Sequence, residues 1–387
     1  MTGTATMRTI QLLQPAKISF GQGCASECPA DLAEAGCRRA FLLASPQTAP
    51  FAEQLTPGFE ASGITVVLYD GITAEPSVAD LRKVMAHADS FAPDAVVGIG
   101  GGSVLDAAKL VAALAGTGDD VTAFFGIGLL KQRRARLACL PTTAGTGSEV
   151  SPNAILLSES GSKQGVISRS LVPDAAYVDP LLTVSLPPAV TAATGLDALA
   201  HCMEAYTNRF AHPTVDTYAF EGMRLIAAHL PRAVANGSDL ESRECVALGS
   251  LYGGLCLGPV NTAAVHALAY PLGGEFHIPH GLSIAVLMAP VMAYNIPAAV
   301  DRYAQVAAAL GVAQRGDAAE RARQGVEKVR GLLHSCGIDP RLSALAIPES
   351  AIPSMAASAM AVTRLLKNNP REMTGEAAEA IYRSVYN

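Results

Sequence analysis

Residues Val96–Leu110 read VVGIGGGSVLDAAKL. An apolar, β-branched run closes on Gly98, Gly100, Gly101 and Gly102, and helix-forming residues follow at once. The pattern predicts a buried strand over Asp94–Ile99, a tight turn, and a helix from Ser103. With no Cβ atoms at residues 100–102, backbone amides of the turn can approach a phosphate. The helix N-terminus adds free N–H donors and the positive end of its dipole. The glycine spacing is neither G-x-G-x-x-G nor a P-loop, because no GK[ST] follows. Ser103 and Asp106 fit an S-x-x-D capping box. Asp106 is therefore as consistent with a helix cap as with a ribose contact.

Outward from this stretch the same alternation recurs. Edge-strand character is found in Ile10–Phe20, and short buried strands in Arg39–Leu43, Ile64–Tyr69 and Leu137–Leu140. Cys28–Ala35 and Val78–Phe91 are helical between them. Strands alternating with helices imply a parallel, helix-covered sheet. After Leu186–Pro188 the β-branched runs cease. Ala189–Tyr206, Thr214–Ala228, Ser242–Cys256, Val300–Leu310 and Ala318–His334 all read as helices. The reading is α/β with a parallel sheet over residues 1–185, and all-α over 186–387. Met1–Thr9 reads as a loose arm and Asp174–Pro188 as the linker.

Half of the 387 residues are hydrophobic and 16% are charged, which suits a large core and argues against disorder. The net charge of -6 and the lack of a basic stripe argue against nucleic acid. No 18-residue apolar span lacks polar breaks, so no membrane-spanning helix is expected. The N-terminus lacks a signal-peptide core. Eight scattered cysteines without a C-x-x-C pair read as reduced thiols of a cytoplasmic protein.

Two segments carry metal-ligand chemistry. Ala264–Gly281 (AVHALAYPLGGEFHIPHG) holds His266, His277 and His280. Pro271, Gly273, Gly274 and Pro279 are expected to break any continuous helix, so that His266 and His280 approach one point from two directions. Leu196–His201 (LDALAH) offers Asp197 and His201 at i and i+4, on one helix face. Asp197 lies among apolar neighbours, where a charge is costly unless paired or coordinated. One carboxylate with imidazoles suits Fe²⁺ or Zn²⁺, and Asp197, His201, His266 and His280 are expected to form one site. A further loop, Pro141–Val150 (PTTAGTGSEV), follows a strand and offers Thr142, Thr143, Thr146 and Ser148 for a second phosphate or the nicotinamide carboxamide. Loops at the carboxyl ends of parallel strands are where doubly wound sheets bind ligands.

Together, GGGSVLDAAK, PTTAGTGSEV, LVPDAAYVDP, GLDALAHCMEAY and VHALAYPLGGEFHIPHGLS resemble the iron-containing (group III) alcohol dehydrogenase family, in that family's order and over nearly the whole chain. The resemblance implies the dehydroquinate synthase-like/iron-containing alcohol dehydrogenase fold: an α/β N-terminal dinucleotide-binding domain with a parallel sheet (1–185) and an all-α C-terminal metal- and substrate-binding domain (186–387), with metal and nicotinamide in the cleft between them. It assigns the metal to Asp197, His201, His266 and His280. It assigns the pyrophosphate to Gly100, Gly101, Gly102 and Ser103 with Asp106, the second cofactor loop to Thr142, Thr143 and Thr146, and a ribose contact to Lys163. Two positions depart from the pattern. Tyr270 stands where many members have a proton-relaying histidine, leaving Tyr270 or His277 for that role. Ser45 stands near the position of the adenosine-ribose aspartate, which leaves NADP as well as NAD open.

The expected activity is hydride transfer between NAD or NADP and a small alcohol/aldehyde pair, with the cation as Lewis acid on the substrate oxygen. Apolar pocket walls drawn from the helical domain are expected. An acidic substrate would need a basic anchor, for which Arg209 and Arg371 are candidates. A homodimer or higher homo-oligomer is expected. The alternatives are a maleylacetate reductase-like oxo-acid reductase, to whose branch the SPQ run at Ser45 is similar, and a dehydroquinate synthase-like lyase. A silent metal-binding scaffold is a third.

Overall fold

The structure is a computed structural model that describes residues 8–159 and 162–387. The expected N-terminal arm, apart from Arg8 and Thr9, lies outside the described residues. The first half is built on strands β1 (Lys17–Phe20), β2 (Arg39–Ala44), β3 (Thr65–Tyr69), β4 (Ala95–Gly100), β5 (Gly126–Ile127), β6 (Arg136–Pro141), β7 (Asn153–Leu157), β8 (Lys163–Ile167) and β9 (Ala175–Val178). Six of them form one sheet in the order β1-β9-β6-β4-β2-β3. Every pairing in it is parallel. Helices α1 (Cys28–Glu34), α2 (Ala49–Ala61), α3 (Val78–Phe91) and α4 (Gly102–Leu114) cover it. Strands β2 and β4 are buried on both faces, as their unbroken apolar runs require.

Three features of this half depart from the sequence reading. The stretch read as a linker contains β9, which lies between β1 and β6. Strands β5, β8 and β7 form a second, three-stranded sheet, whose short mixed runs carry no clear period. The capping box also lies elsewhere. Helix α4 opens at Gly102 with Gly101 as its cap residue and no side-chain cap. Asp106 instead points inward and accepts from Ser148 Oγ at 2.5 Å and from the Ile155 N–H at 2.8 Å. The reciprocal box forms at α3, where Ser77 Oγ accepts from the Asp80 N–H and Asp80 accepts from the Ser77 N–H.

The second half is helical: α5 (Pro188–Thr207), α6 (Pro213–Ala235), α7 (Leu240–Leu257), α8 (Ala264–Phe276), α9 (His280–Asn295), α10 (Val300–Ala309), α11 (Ala318–Ser335), α12 (Ile352–Met360), α13 (Thr363–Leu366) and α14 (Gly375–Ser384). Its core gathers Leu196, Met223, Leu268, Ile284, Met288 and Val329, all inaccessible. Segment His280–Ala298 is long and apolar enough to cross a membrane, yet 61% of its most apolar window is buried in this core. It packs on α5, α8 and α11. Helix α8 runs through Pro271, Gly273 and Gly274 to Phe276, past the residues expected to break it. The chain turns only at His277, whose φ is 56°, and at Pro279.

The halves meet through the loop after β6. A Cβ on Gly145 would lie 2.7 Å from the Thr194 side chain of α5, and one on Gly147 would lie 2.2 Å from Gly254 Cα of α7. Gly147 also has φ 62°, where a side chain is strained. Gly147→Ala is expected to lower unfolding stability by more than ~2 kcal/mol, since backbone rather than a flexible side chain opposes it. Gly274→Ala, with open space around the added methyl, should leave it within about 1 kcal/mol. Denaturant titration of both variants checks the contrast, and equal effects would refute the close-approach argument.

Candidate metal centre and interdomain cleft

Helix α5 sets one row of side chains. Asp197, His201 and Glu204 fall at i, i+4 and i+7, all buried. Helix α8 brings His266 and the first residue of α9 is His280. Gly281 explains how α9 reaches the row: a Cβ there would lie 2.3 Å from the Ala193 carbonyl oxygen. Only glycine lets the start of α9 rest on the α5 backbone, and this carries His280 towards Asp197.

The nitrogens converge on one oxygen. Asp197 Oδ1 lies 3.6 Å from His201 Nε2, 3.4 Å from His266 Nε2 and 3.7 Å from His280 Nε2. Asp197 Oδ1 and His266 Nε2 are buried without a hydrogen-bond partner. Unpartnered buried polar atoms are costly. Ligand atoms held tetrahedrally at ~2.1 Å from an ion lie about 3.4 Å apart, close to these spacings. The donor set and its orphaned atoms therefore fit a divalent transition-metal ion. Asp197, His201 and His266 make the tightest group, all fully enclosed, and His280 is the partly exposed fourth.

The outer nitrogens are also fixed. His266 Nδ1 donates to Glu204 Oε2 at 2.5 Å, and Glu204 Oε1 accepts the Val265 N–H at 2.6 Å. His201 Nδ1 donates to the Gly145 carbonyl at 3.2 Å. Each bond leaves Nε2 facing Asp197, the arrangement that orients metal-binding histidines. Burial pushes the His201 imidazole down and the His280 imidazole down to about 3, so both are neutral donors. Burial also opposes charge on His266, but Glu204 and Asp197 outweigh it and carry that ring up to about 9. Burial opposes ionisation of Asp197 as well, yet the surrounding imidazoles hold it well below the usual carboxylate range. The cluster calls for positive charge at its centre.

The cluster floors a cavity of about 630 Å³ between the halves. Gly102, Ser103, Asp106, Thr146, Lys163 and Tyr270 line it, with His277 at an exposed position on the rim. Gly100, Gly101, Thr142 and Thr143 do not line it. Register pairs Gly100 with Pro141, and the Thr142 N–H donates to the Gly100 carbonyl. Residues 100–102 have ordinary negative φ, so their glycines supply space. A Cβ on Gly102 would meet Thr146 Cγ2 at 2.7 Å. Lys163 is paired with Glu75 at 2.8 Å. Asn153 and Ile155 of β7 are also in the lining, so the walls come from both halves rather than the helical one alone. Sequence reasoning missed Glu204, although its place three residues after His201 was a usable signal. It also missed the Gly145 carbonyl, which no side-chain pattern reports.

A family model described as iron-containing alcohol dehydrogenase matches residues 15–180, and one described as the Fe-containing alcohol dehydrogenase family, C-terminal, matches residues 191–386. The chain belongs to the iron-containing alcohol dehydrogenase family. It is 37% identical over 98% of its length to a long-chain-alcohol dehydrogenase 1 of Geobacillus thermodenitrificans, 98% of which is covered. It is 33% identical over 92% of its length to a sulfoacetaldehyde reductase of Bilophila wadsworthia, covering 93% of that protein. A crystal structure of a 1,3-propanediol oxidoreductase superposes with a TM-score of 0.95 at 31% identity, over 98% of this chain and all of that one. Membership makes the protein an alcohol dehydrogenase-type enzyme and sets aside the lyase and scaffold alternatives. For this family member, Glu204→Gln is expected to weaken divalent-ion affinity roughly 10- to 100-fold. Competition with a chelator measures it, and an unchanged affinity in a folded variant would remove Glu204 from the centre.

Proposed function

We propose that the enzyme transfers a hydride reversibly between NAD(P) and a small alcohol/aldehyde pair at the Asp197–His201–His266–His280 centre. The observation that carries this is the orphaned Asp197 Oδ1, faced by imidazole nitrogens at the floor of a cleft between a parallel sheet and a helical half. When bound, a divalent ion supplies Lewis acidity at the substrate oxygen, and the nicotinamide gives or takes the hydride. The division near residue 185 is proposed as the domain boundary, with the cofactor along Gly102, Ser103, Asp106 and Thr146. Gly100, Gly101, Thr142 and Thr143 belong to the same two loops and are proposed to bind the cofactor with them, and Lys163 with Glu75 borders the ribose side.

The chain's own groups manage the proton. Burial pushes the Tyr270 hydroxyl up despite the opposing pull of Arg364, so the phenol keeps its proton. Tyr270 Oη then serves as a donor and relay rather than a standing base, and the exposed imidazole of His277 exchanges the proton with solvent. Ser45 follows β2 in a turn with Thr48, whose hydroxyl reaches the Ile99 carbonyl at 2.8 Å. No carboxylate stands at Ser45 to repel a 2′-phosphate, which supports use of NADP beside NAD. Fe²⁺ and Zn²⁺ both suit one carboxylate and three imidazoles. A cytoplasmic homo-oligomer is proposed with this reading, and a reducing compartment suits eight free cysteines.

Chelation should abolish oxidation of a primary-alcohol panel with either nucleotide, and added Fe²⁺ or Zn²⁺ should restore it. His266→Ala should lose bound metal and roughly 10³-fold in kcat/KM. Steady-state assays with elemental analysis check both. No turnover of any alcohol or aldehyde with the ion restored would overturn the reading.

A further inference from the structure

The cavity contains a cation that the hydride chemistry does not use. Arg364, on α13, lines both the 630 Å³ cavity and a neighbouring one of about 610 Å³. Its Nη2 lies 3.4 Å from Tyr270 Oη, and among the described residues it forms no ion pair with a carboxylate. Two other charges beside the cleft, outside the proposed metal centre, are engaged. Lys163 is paired with Glu75, and Glu275 accepts from Ser358 Oγ at 2.8 Å. The arginines expected from sequence as anchors are elsewhere. Arg371 donates to the Tyr294 carbonyl and stacks on that ring at 4.1 Å, and Arg209 lines neither cavity.

Resting on the hydride-transfer reading, we propose that Arg364 anchors an anionic group on the substrate, making the preferred substrate a short aldehyde or alcohol with a carboxylate or sulfonate at its far end. The placement follows from α8. Tyr270 is one helical turn beyond His266, on the same face, and Arg364 meets the tip of Tyr270. A molecule with its oxygen at the His266 end therefore reaches Arg364 after a short carbon chain. A guanidinium presents a planar fork that matches a carboxylate or sulfonate through two parallel hydrogen bonds. A neutral substrate would leave that partly buried charge unpaired, and this asymmetry is a source of selectivity.

The test compares 4-oxobutanoate with 4-methylpentanal, a neutral compound of matched shape, in the metal-loaded wild type, Arg364→Met and Arg364→Lys. The wild type should favour 4-oxobutanoate by roughly 10- to 100-fold in kcat/KM. Arg364→Met should collapse that ratio at least tenfold, chiefly through KM for the anion, and Arg364→Lys should keep part of it. Retained bound metal shows that the variants are folded. Equal or better use of the neutral aldehyde by the wild type, or an equal loss with both compounds in Arg364→Met, overturns this proposal and leaves hydride transfer standing. Turnover of neither compound while primary alcohols are still oxidised overturns this proposal alone, and no turnover of any alcohol or aldehyde overturns both.

Discussion

A single carboxylate oxygen, Asp197 Oδ1, is buried where three imidazole nitrogens face it at 3.4–3.7 Å. In a dry interior such an atom costs several kcal/mol unless a cation or donor meets it. The surrounding structure keeps it there. Helix α5 fixes Asp197 and His201 a turn apart, Gly281 lets α9 close against the same backbone, and Glu204 aims His266 inward. The helical half is thus packed around an arrangement that is unfavourable by itself and favourable with a bound ion.

The loop after β6 joins this centre to the sheet. The Gly145 carbonyl orients His201, Thr146 faces the cavity against Gly102, and Gly147 touches the α7 backbone. Three consecutive residues therefore border the proposed metal side and the proposed cofactor side and make the contact between halves. Reactants must be held within a fraction of an ångström for hydride transfer. A loop held at three consecutive residues by short, close contacts meets that need better than one held by long side chains.

What the sequence disclosed followed from periodicity and spacing. Strands β2, β3, β4 and β6 and helices α3, α5 and α7 were legible because apolar runs of the right period report burial directly. Strand β9 was not, since Pro173 and Pro180 around it read as a linker. The box at Ser103 failed because Asp106 has better partners in Ser148 and Ile155 than a solvent-side cap would offer. Pro271 and two glycines did not end α8, because tertiary packing overrides local propensity in a helix this deeply buried. The convergence of Asp197, His201, His266 and His280 was legible as chemistry. Glu204 was missed although it continues the Asp197–His201 row on α5, and Arg364 was not legible, for it acts on Tyr270, far away in sequence.

Charge balance gives the centre its last constraint. Asp197 and Glu204 bring two carboxylates to one buried cluster, while burial keeps His201 and His280 neutral. One divalent ion cancels that pair of charges, whereas a monovalent ion leaves one negative charge buried. Without the ion, His266 is the ring driven towards a positive charge, because it alone touches both carboxylates. Glu204 therefore does more than orient a ring: it brings a second carboxylate to the proposed centre, which favours a divalent occupant. The carboxylate on the far side of the imidazole selects charge, and the nitrogens in front select the kind of metal.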